Sequence, residues 1–204
     1  MKTIYIISLS IILNLFMLTS LKSQDKWELQ KSEDGIDVYT SVVKGSTYKK
    51  FKATTILNCK PMELVEILRR VEKYPEWIAN CEKVELLKQD NTVQYHYIET
   101  ELPWPFENRD MIYQLKYDIF DENNIQVSIN GVPNYIDEKK GVVRMSEVSG
   151  KWLFKSISTN QTELVYVLHS EPGGAIPAWL ANASVVDMPY NTISALNKKI
   201  SLEY

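Results

Sequence analysis

The sequence predicts an α+β fold in which a curved antiparallel sheet wraps around one long C-terminal helix. Short strand-like segments follow one another after residue 24, and one of them, RDMIYQLKYDIF at 109–120, alternates apolar and polar side chains. A strand with one apolar and one polar face is typical of an antiparallel sheet covered on one side. The end of the chain instead repeats apolar residues at every third or fourth position, which indicates an amphipathic helix.

The predicted elements are two strands, a helical segment, about six more strands and the final helix. The first two strands are GIDVYTSVV at 35–43 and YKKFKATTIL at 48–57. Asn58 is a candidate cap for the helical segment that follows, and Pro61 suits its first turn. Among the later connections the longest is GVPNYIDEKKG at 131–141.

The final helix begins at Pro177 and runs for about 22 residues, or roughly 33 Å at 1.5 Å per residue. Pro189 lies inside it. Gly173 and Gly174 precede it and provide a hinge, because glycine adopts backbone conformations that other residues avoid. The apolar repeat consists of Trp179, Leu180, Ala183, Val186, Tyr190, Ile193, Leu196 and Ile200.

The N-terminal segment 1–23 has the layout of a secretory signal peptide: Lys2, an apolar run from Ile4 to Leu18, and small polar residues. The alternative is an uncleaved membrane anchor, although Asn14 and two serines interrupt a run shorter than the roughly 20 residues that a spanning helix needs. We therefore expect an exported protein, periplasmic or extracellular, with one domain at 24–204.

The composition excludes several classes of partner. The chain has 204 residues, 45% hydrophobic and 24% charged, and without Lys2 and Lys22 it has 21 basic and 26 acidic residues, a formal charge of −5. An acidic surface repels the phosphates of nucleic acids. Two histidines supply a conventional metal site poorly, so we expect no metal and no cofactor. Cys59 and Cys81 form a disulfide or remain two thiols.

Three stretches carry a resemblance to a known family. They are YPEWIANCEKVELL at 74–87, LPWPFENRDMIY at 102–113 and EPGGAIPAWLANASVVDMPYNTISALNK at 171–198. Together they resemble the START domain, a lipid-transfer module, over about residues 27–204, in a form that looks secreted and bacterial. The resemblance implies the helix-grip fold, which Bet v 1-like proteins share, with a hydrophobic tunnel for one lipid. It also implies lipid binding and transport. We expect the protein to be a monomer.

Strand parity and the helix repeat then predict the residues that line the tunnel. We expect inward-facing side chains on three consecutive strands and on one face of the final helix. They are His96, Ile98, Arg109, Met111, Tyr113, Leu115, Val127, Ile129, Trp179, Ala183, Val186 and Tyr190.

Two polar members of this set have alternative interpretations. The resemblance implies that His96 faces the tunnel, where some relatives carry an acidic residue paired with a basic one on the next strand. The counterpart here is Leu115, so the charged pair is absent. The alternative for His96 is a buried histidine with a local hydrogen bond. Arg109 either contacts a lipid head group or has a structural role at the mouth of the sheet, since a buried arginine needs partners.

The glycine pair suggests how a ligand enters. We expect Gly173, Gly174 and the loop 131–141 to form a gate that opens when the first turns of the helix move. Val132 and Tyr135, in that loop, would touch a bilayer transiently during entry.

Two other functions fit the same fold. One is a helix-grip enzyme of the cyclase or hydratase kind, in which His96 is the only attractive general base. The neighbours His169 and Ser170 point to opposite faces of a strand and form no dyad. The other is an interaction module whose tunnel is closed. The sequence assigns no catalytic residue and favours a binding protein.

Overall fold

Ten strands and two α-helices build the described part of the molecule, residues 25–203 of a computed structural model. The predicted signal peptide lies outside these residues. The strands are β1 Glu28–Glu33, β2 Ile36–Ser41, β3 Lys50–Leu57, β4 Cys81–Gln89, β5 Val93–Thr100, β6 Asn108–Ile119, β7 Asn124–Gly131, β8 Val142–Arg144, β9 Glu147–Ser158 and β10 Gln161–Glu171. The helices are α1 Pro61–Arg69, a short 3₁₀-helix Val71–Glu76 and α2 Ala178–Glu203.

The strands form one curved sheet in the order β1-β2-β3-β10-β9-β7-β6-β5-β4. Every pair along this path is antiparallel. The short strand β8 lies off the path and pairs in parallel with the start of β6. The predicted fold class, a curved antiparallel sheet with a long C-terminal helix, is confirmed.

Strand β1 was absent from the sequence prediction. Its six residues are all exposed except Lys31, which is half-buried, because the strand forms an edge of the sheet. An edge strand without a buried face shows no apolar alternation, and this alternation is the signal by which strands are recognised.

Helix α1 packs its apolar side on the sheet through Leu64, Val65 and Leu68. Its predicted cap is wrong: the backbone N–H of Lys60 donates to the Glu63 carboxylate at 2.8 Å, and helix-capping at this end comes from that bond instead of from Asn58. The 3₁₀-helix follows at once, and the Tyr74 hydroxyl donates to the Leu68 carbonyl at 2.6 Å. The two segments therefore form one buried cover at this end of the sheet.

The C-terminal half of α2 closes the core. Ile193, Leu196 and Ile200 are at most 3% exposed and belong to the main apolar cluster. The Thr192 hydroxyl accepts a hydrogen bond from the backbone N–H of Ala79 at 3.1 Å. The Lys199 ammonium forms an ion pair with Glu76 at 2.9 Å. This half of the helix is anchored by apolar burial and by polar bonds to the 3₁₀-helix region.

The loop 131–141 folds over the outer face of the sheet. Tyr97 and Ile112, which point away from the core by strand alternation, are at most 1% exposed beneath it. The Lys139 ammonium lies 3.5 Å from the centre of the Tyr97 ring. Arg144 of β8 forms a buried ion pair with Asp110, with a shortest distance of 2.7 Å. The loop and β8 therefore form a second, smaller packed layer.

Both cysteines are free thiols. Cys59 is buried and Cys81 is half-buried. Burial raises the pKa of the Cys59 thiol to about 12 and that of the Cys81 thiol to about 11, so neither is a reactive thiolate at neutral pH. Across residues 25–203, no helix has the length and apolar character required to cross a membrane.

Candidate functional site

A cavity lies between the N-terminal half of α2 and the inner face of the sheet. About 170 Å³ is available there to the centre of a water molecule. One water needs only roughly 10–15 Å³ on this measure, so the space exceeds a single solvent site about tenfold. Protein interiors otherwise pack at crystal-like density. A void of this size is therefore a feature of the architecture and not a packing fault.

One end of the cavity is polar and reaches the surface, and we call it the mouth. Strands β5 and β10 end here and β3, β6 and β9 begin here, because neighbours in an antiparallel sheet alternate in direction. Helix α2 also begins at this end. The polar residues that line the mouth are Tyr48, Lys49, Asn80, Thr100, Arg109, Ser170 and Ser184.

The opposite, closed end is apolar and aromatic. Its lining residues are Leu68, Tyr74, Tyr113, Leu115, Trp152 and Tyr166. The Trp152 and Tyr166 rings stack with their centres 3.5 Å apart. Burial raises the pKa of the Tyr74, Tyr113 and Tyr166 hydroxyls well above the ordinary value, so these rings stay neutral. The cavity thus has the polarity of an amphiphile, polar at one end and hydrocarbon-like at the other.

Half of the predicted lining residues meet in this cavity. They are Ile98, Arg109, Met111, Tyr113, Leu115 and Ile129. All six come from β5, β6 and β7, where the alternation of inward and outward side chains determines the face.

The four predicted helix residues do not line the cavity. Trp179 is 72% exposed, Ala183 is exposed, and Val186 and Tyr190 lie outside the cavity lining. The Tyr190 hydroxyl instead donates to Asp34 at 2.5 Å. The residues of α2 that do line the cavity are Leu180, Ala181, Ser184, Val185 and Met188. The lining residues are offset by one or two positions from the predicted ones, and Val186 and Tyr190 pack against the main apolar cluster without reaching the cavity.

Val127 and His96 also lie outside the lining. Val127 is fully buried, opposite Tyr117 and Trp152 on the neighbouring strands, within solid core. His96 is fully buried behind two cavity residues, with its ring edge-to-face against Tyr74 and Tyr113 at centre distances of 5.5 and 5.3 Å.

The local hydrogen bond considered for His96 is not formed. Within residues 25–203 neither ring nitrogen of His96 has a partner. Burial lowers the pKa of this imidazole to about 3, so it is neutral at ordinary pH. A general base needs a position within reach of the substrate, and this ring is separated from the cavity by tyrosines.

Arg109 joins the mouth to the hinge. Its guanidinium donates from Nε to the Pro172 carbonyl at 2.8 Å, from Nη1 to the Glu107 carbonyl at 2.5 Å and from Nη2 to the Gly173 carbonyl at 3.4 Å. The residue is 3% exposed. Burial lowers its pKa, while the charge of Glu107 and the Tyr48 hydroxyl act in the opposite direction. Arg109 thus has the structural role predicted as one of its alternatives, and it also lines the cavity.

The hinge glycines have the conformation that their sequence suggests. Gly173 and Gly174 have φ values of 65° and 58°, in the left-handed region that favours glycine. A Cβ on Gly173 would lie 2.8 Å from the Arg144 carbonyl oxygen, and one on Gly174 would lie 3.3 Å from Nη2 of Arg109. Glycine is therefore required here both by conformation and by the close approach of β8.

The loop 131–141 does not face this hinge. None of its residues lines the cavity. The Val132 N–H donates to the Ile112 carbonyl at 2.8 Å, and the Tyr135 ring stacks on Tyr95 with ring centres 4.7 Å apart, on the outer face of the sheet. Arg144 also donates to the loop carbonyls of Ile136 and Asp137. The segment that lies against the hinge is β8.

Sequence reasoning missed most of the polar mouth. Tyr48 and Lys49 begin the predicted strand 48–57, and Ser170 lies near the end of β10, where neighbouring polar side chains give no apolar alternation to indicate a buried face. Their signal is topological: each lies at a strand end on the side of the sheet where α2 begins.

Comparison with known proteins adds an independent line of evidence. A START domain family model matches residues 12–188. The uncharacterized protein PA1579 of Pseudomonas aeruginosa is 34% identical over 172 residues, which cover 84% of this chain and 85% of that protein. The phosphatidylcholine transfer protein of Mus musculus is 25% identical over 162 residues, 76% of this chain and 75% of that protein.

A solved structure agrees with these matches. The STAR-related lipid transfer protein of Xanthomonas axonopodis superposes with a TM-score of 0.81 at 35% identity, over 87% of this chain and 99% of that one. The two chains therefore share one fold, and the family model spans most of the sequence. The chain therefore belongs to the START domain family, whose members generally bind and transfer lipids.

Proposed function

We propose that this protein binds one hydrophobic molecule, a lipid, without covalent chemistry and carries it between membranes. The observation that supports the proposal most strongly is the cavity of about 170 Å³ beneath the N-terminal half of α2, polar at the mouth and apolar at the closed end. A site that is mostly apolar, with a few polar groups to set orientation, is typical for such a ligand. A closed interaction module has no need of this space.

The opening step involves the hinge and the first turns of α2. The C-terminal half of α2 is anchored by Ile193, Leu196 and Ile200, whereas Leu180, Val185 and Met188 face the cavity and are less completely buried. Movement of the N-terminal half of α2 therefore breaks few close contacts. Gates are drawn from the parts of a protein with low local stability. The loop 131–141, pinned to the outer face, has no part in this step.

Membrane contact belongs to the same end of the molecule. Three large apolar side chains surround the mouth in different elements: Trp104 between β5 and β6 is 92% exposed, Val42 after β2 is 74% exposed, and Trp179 at the start of α2 is 72% exposed. Tryptophan is suited to the interface between lipid and water, because its ring is amphipathic. These residues replace Val132 and Tyr135 as the surface that would touch a bilayer.

The composition of the cavity favours binding over catalysis. Its lining, within residues 25–203, contains no histidine and no carboxylate. General acid–base catalysis most often uses one of these groups, and the tyrosines of the closed end stay neutral because burial raises their pKa.

The partition of a lipid between a bilayer and an apolar cavity is nearly balanced, because both environments remove hydrocarbon from water. A carrier therefore needs an accessible mouth more than a very high affinity.

The test is lipid occupancy combined with lipid transfer. Native mass spectrometry of protein purified from its own host should detect a lipid bound to the folded chain, and the protein should accelerate lipid exchange between donor and acceptor vesicles. Ala181→Phe places a ring in the cavity and should reduce both occupancy and exchange by about tenfold or more.

The matched control is Ala183→Phe, two residues along the same helix at an exposed position outside the lining. It should leave occupancy and exchange unchanged. Equal effects of the two substitutions, or a folded wild-type protein that neither holds nor transfers lipid, would contradict the proposal.

We also propose that residues 1–23 direct export and that the mature domain works outside the cytoplasm as a monomer. The support is the charge and hydropathy pattern of this segment. Mass measurement of the protein recovered from its host should show an N-terminus near Gln24, and light scattering should give the mass of one chain.

A further inference from the structure

The mouth of the cavity carries positive charge without compensating carboxylates. Lys49 and Arg109 are the charged residues of the lining, and neither forms an ion pair within residues 25–203. Glu107 acts on Arg109 electrostatically, yet its carboxylate makes no salt bridge with it. Two cations without an ion-pair partner in the described residues contrast with the formal charge of −5 predicted for residues 24–204.

Arg109 has hydrogen-bonding capacity left over. A guanidinium carries five N–H donors, and the bonds to Pro172, Glu107 and Gly173 use one on each nitrogen. One N–H on Nη1 and one on Nη2 remain. A buried cation gains from an ionised acceptor, since burial without a counter-charge is costly. The planar fork of arginine is well matched to the oxygens of a carboxylate or a phosphate.

The hydroxyl groups beside Arg109 extend this capacity. Thr100 is the cross-strand partner of Arg109, and Ser170 lies two residues before Pro172, whose carbonyl accepts a hydrogen bond from Arg109. Both side chains line the cavity and form no hydrogen bond to another residue of the described range. The mouth therefore offers two cations and two free hydroxyls next to a hydrocarbon-like interior.

We propose that Arg109 and Lys49 make the mouth a subsite for an anionic head group, so that the molecule carried is a long-chain amphiphile ending in a carboxylate or a phosphate. This inference rests on the proposed function, because it assigns the ligand class of the same cavity. The tail extends towards Tyr74, Leu115 and Trp152, and the head group lies between the two cations. A neutral lipid would leave both of them without an ion-pair partner.

The test uses four ligands that share one C16 tail: palmitate, hexadecyl phosphate, hexadecanol and hexadecylphosphocholine, each titrated below its critical micelle concentration. Palmitate or hexadecyl phosphate should bind the delipidated protein at least tenfold more tightly than hexadecanol, because charge-assisted hydrogen bonds are about twice as strong as neutral ones. The tighter of these two anions identifies the head group as carboxylate or phosphate.

Substitutions assign the effect to residues. Arg109→Gln should reduce the preference over hexadecanol to within about threefold, and Lys49→Gln should reduce it by about threefold to tenfold. Lys116→Gln is the control, since this lysine lies on the outer face of the same strand as Arg109. If Arg109→Gln does not fold, the wild-type ligand series and Lys49→Gln still decide the question.

Each result separates this inference from the proposed function. Equal affinities for hexadecanol and both anions, or tightest binding of hexadecylphosphocholine, would overturn the anionic subsite and leave lipid binding intact. Failure of all four ligands to bind would count against the proposed function itself.

Discussion

The mouth and the closed end of this molecule are built from the same sheet and the same helix, yet they are packed in opposite ways. At the closed end Ile193 is fully buried and Leu196 is 3% exposed. At the mouth Leu180 and Val185, from the same helix, are less completely buried above a cavity. Close packing anchors one half of α2, whereas the other half packs less tightly above the cavity.

This difference indicates that the side chains that contribute most to folding stability lie away from the mouth of the cavity. A fully buried aliphatic side chain contributes roughly 1.5–3 kcal/mol, so several at the closed end outweigh the few partial contacts at the mouth. The mouth is held mainly by polar bonds, such as those from Arg109 to the Pro172 and Gly173 carbonyls. Polar bonds can exchange with water, and buried hydrocarbon contacts cannot.

Truncation of one aliphatic residue in each half of α2 tests this contrast directly. Ile193→Ala should lower the free energy of unfolding by about 2–5 kcal/mol, because it opens a hole in solid core. Leu180→Ala removes the same number of carbons beside an existing cavity and should lower it by less than about 1.5 kcal/mol. Urea denaturation measures both values, and equal losses would disprove the division of the helix.

The buried imidazole of His96 makes stability depend on pH. Its pKa is about 3 in the folded state and about 6.5 in the unfolded chain, so below pH 6.5 the unfolded state binds more protons. The contribution of neutral His96 to the free energy of unfolding is therefore fully present above about pH 6.5 and is lost progressively as the pH decreases towards 3. Between pH 7 and pH 5 this residue should lower the free energy of unfolding by about 2 kcal/mol.

His96→Phe should remove that component and leave the rest of the pH profile unchanged. The aromatic contacts with Tyr74 and Tyr113 are retained by a phenyl ring. Denaturation of wild type and variant at pH 7 and pH 5 gives the difference. Identical pH dependence in the two proteins would show that His96 is not desolvated in solution.

Gly173→Ala tests the hinge. A left-handed backbone costs a non-glycine residue about 1–2 kcal/mol, and the new Cβ would also lie 2.8 Å from the Arg144 carbonyl oxygen. Gly45→Ala is the control, since Gly45 has a φ of 88° and a methyl group added there would have no neighbouring atom within 4 Å. Both should lose stability, but only Gly173→Ala should alter the rate of lipid exchange between vesicles. Equal changes in the lipid exchange rate for Gly173→Ala and Gly45→Ala would argue against a hinge.

Trp179→Ala should have almost no effect on folding and a clear effect on transfer. The side chain is 72% exposed, so the free energy of unfolding should change by less than about 0.5 kcal/mol. Loss of its contact with the bilayer should slow vesicle-to-vesicle transfer severalfold. Leu202→Ala, at a 79% exposed position near the other end of α2, should leave transfer unchanged. The same rate for both variants would place membrane contact elsewhere.

Much of this site could be predicted from strand parity and little of it from the helix. Met111, Tyr113 and Leu115 alternate on one strand, and a period of two leaves only one way to face the core. In α2 a stripe shifted by one or two residues is almost as apolar as the true one, so Trp179 and Tyr190 were mistaken for cavity-lining residues. Trp179 is exposed at the mouth, and Tyr190 is held by its hydrogen bond to Asp34. The sequence does not show either of these environments.

The amino-acid sequence by itself determined the fold class, the strand-helix order after β1, the inward face of β6 and the turn at Gly173 and Gly174, because each depends on local periodicity or on one residue's conformational freedom. Only the tertiary structure decided which face of α2 covers the cavity, that the loop 131–141 packs on the outer face, that His96 lies behind tyrosines, and that Lys49 and Arg109 share a mouth. These features depend on contacts between residues far apart in the chain, and such contacts leave no periodic trace in the sequence.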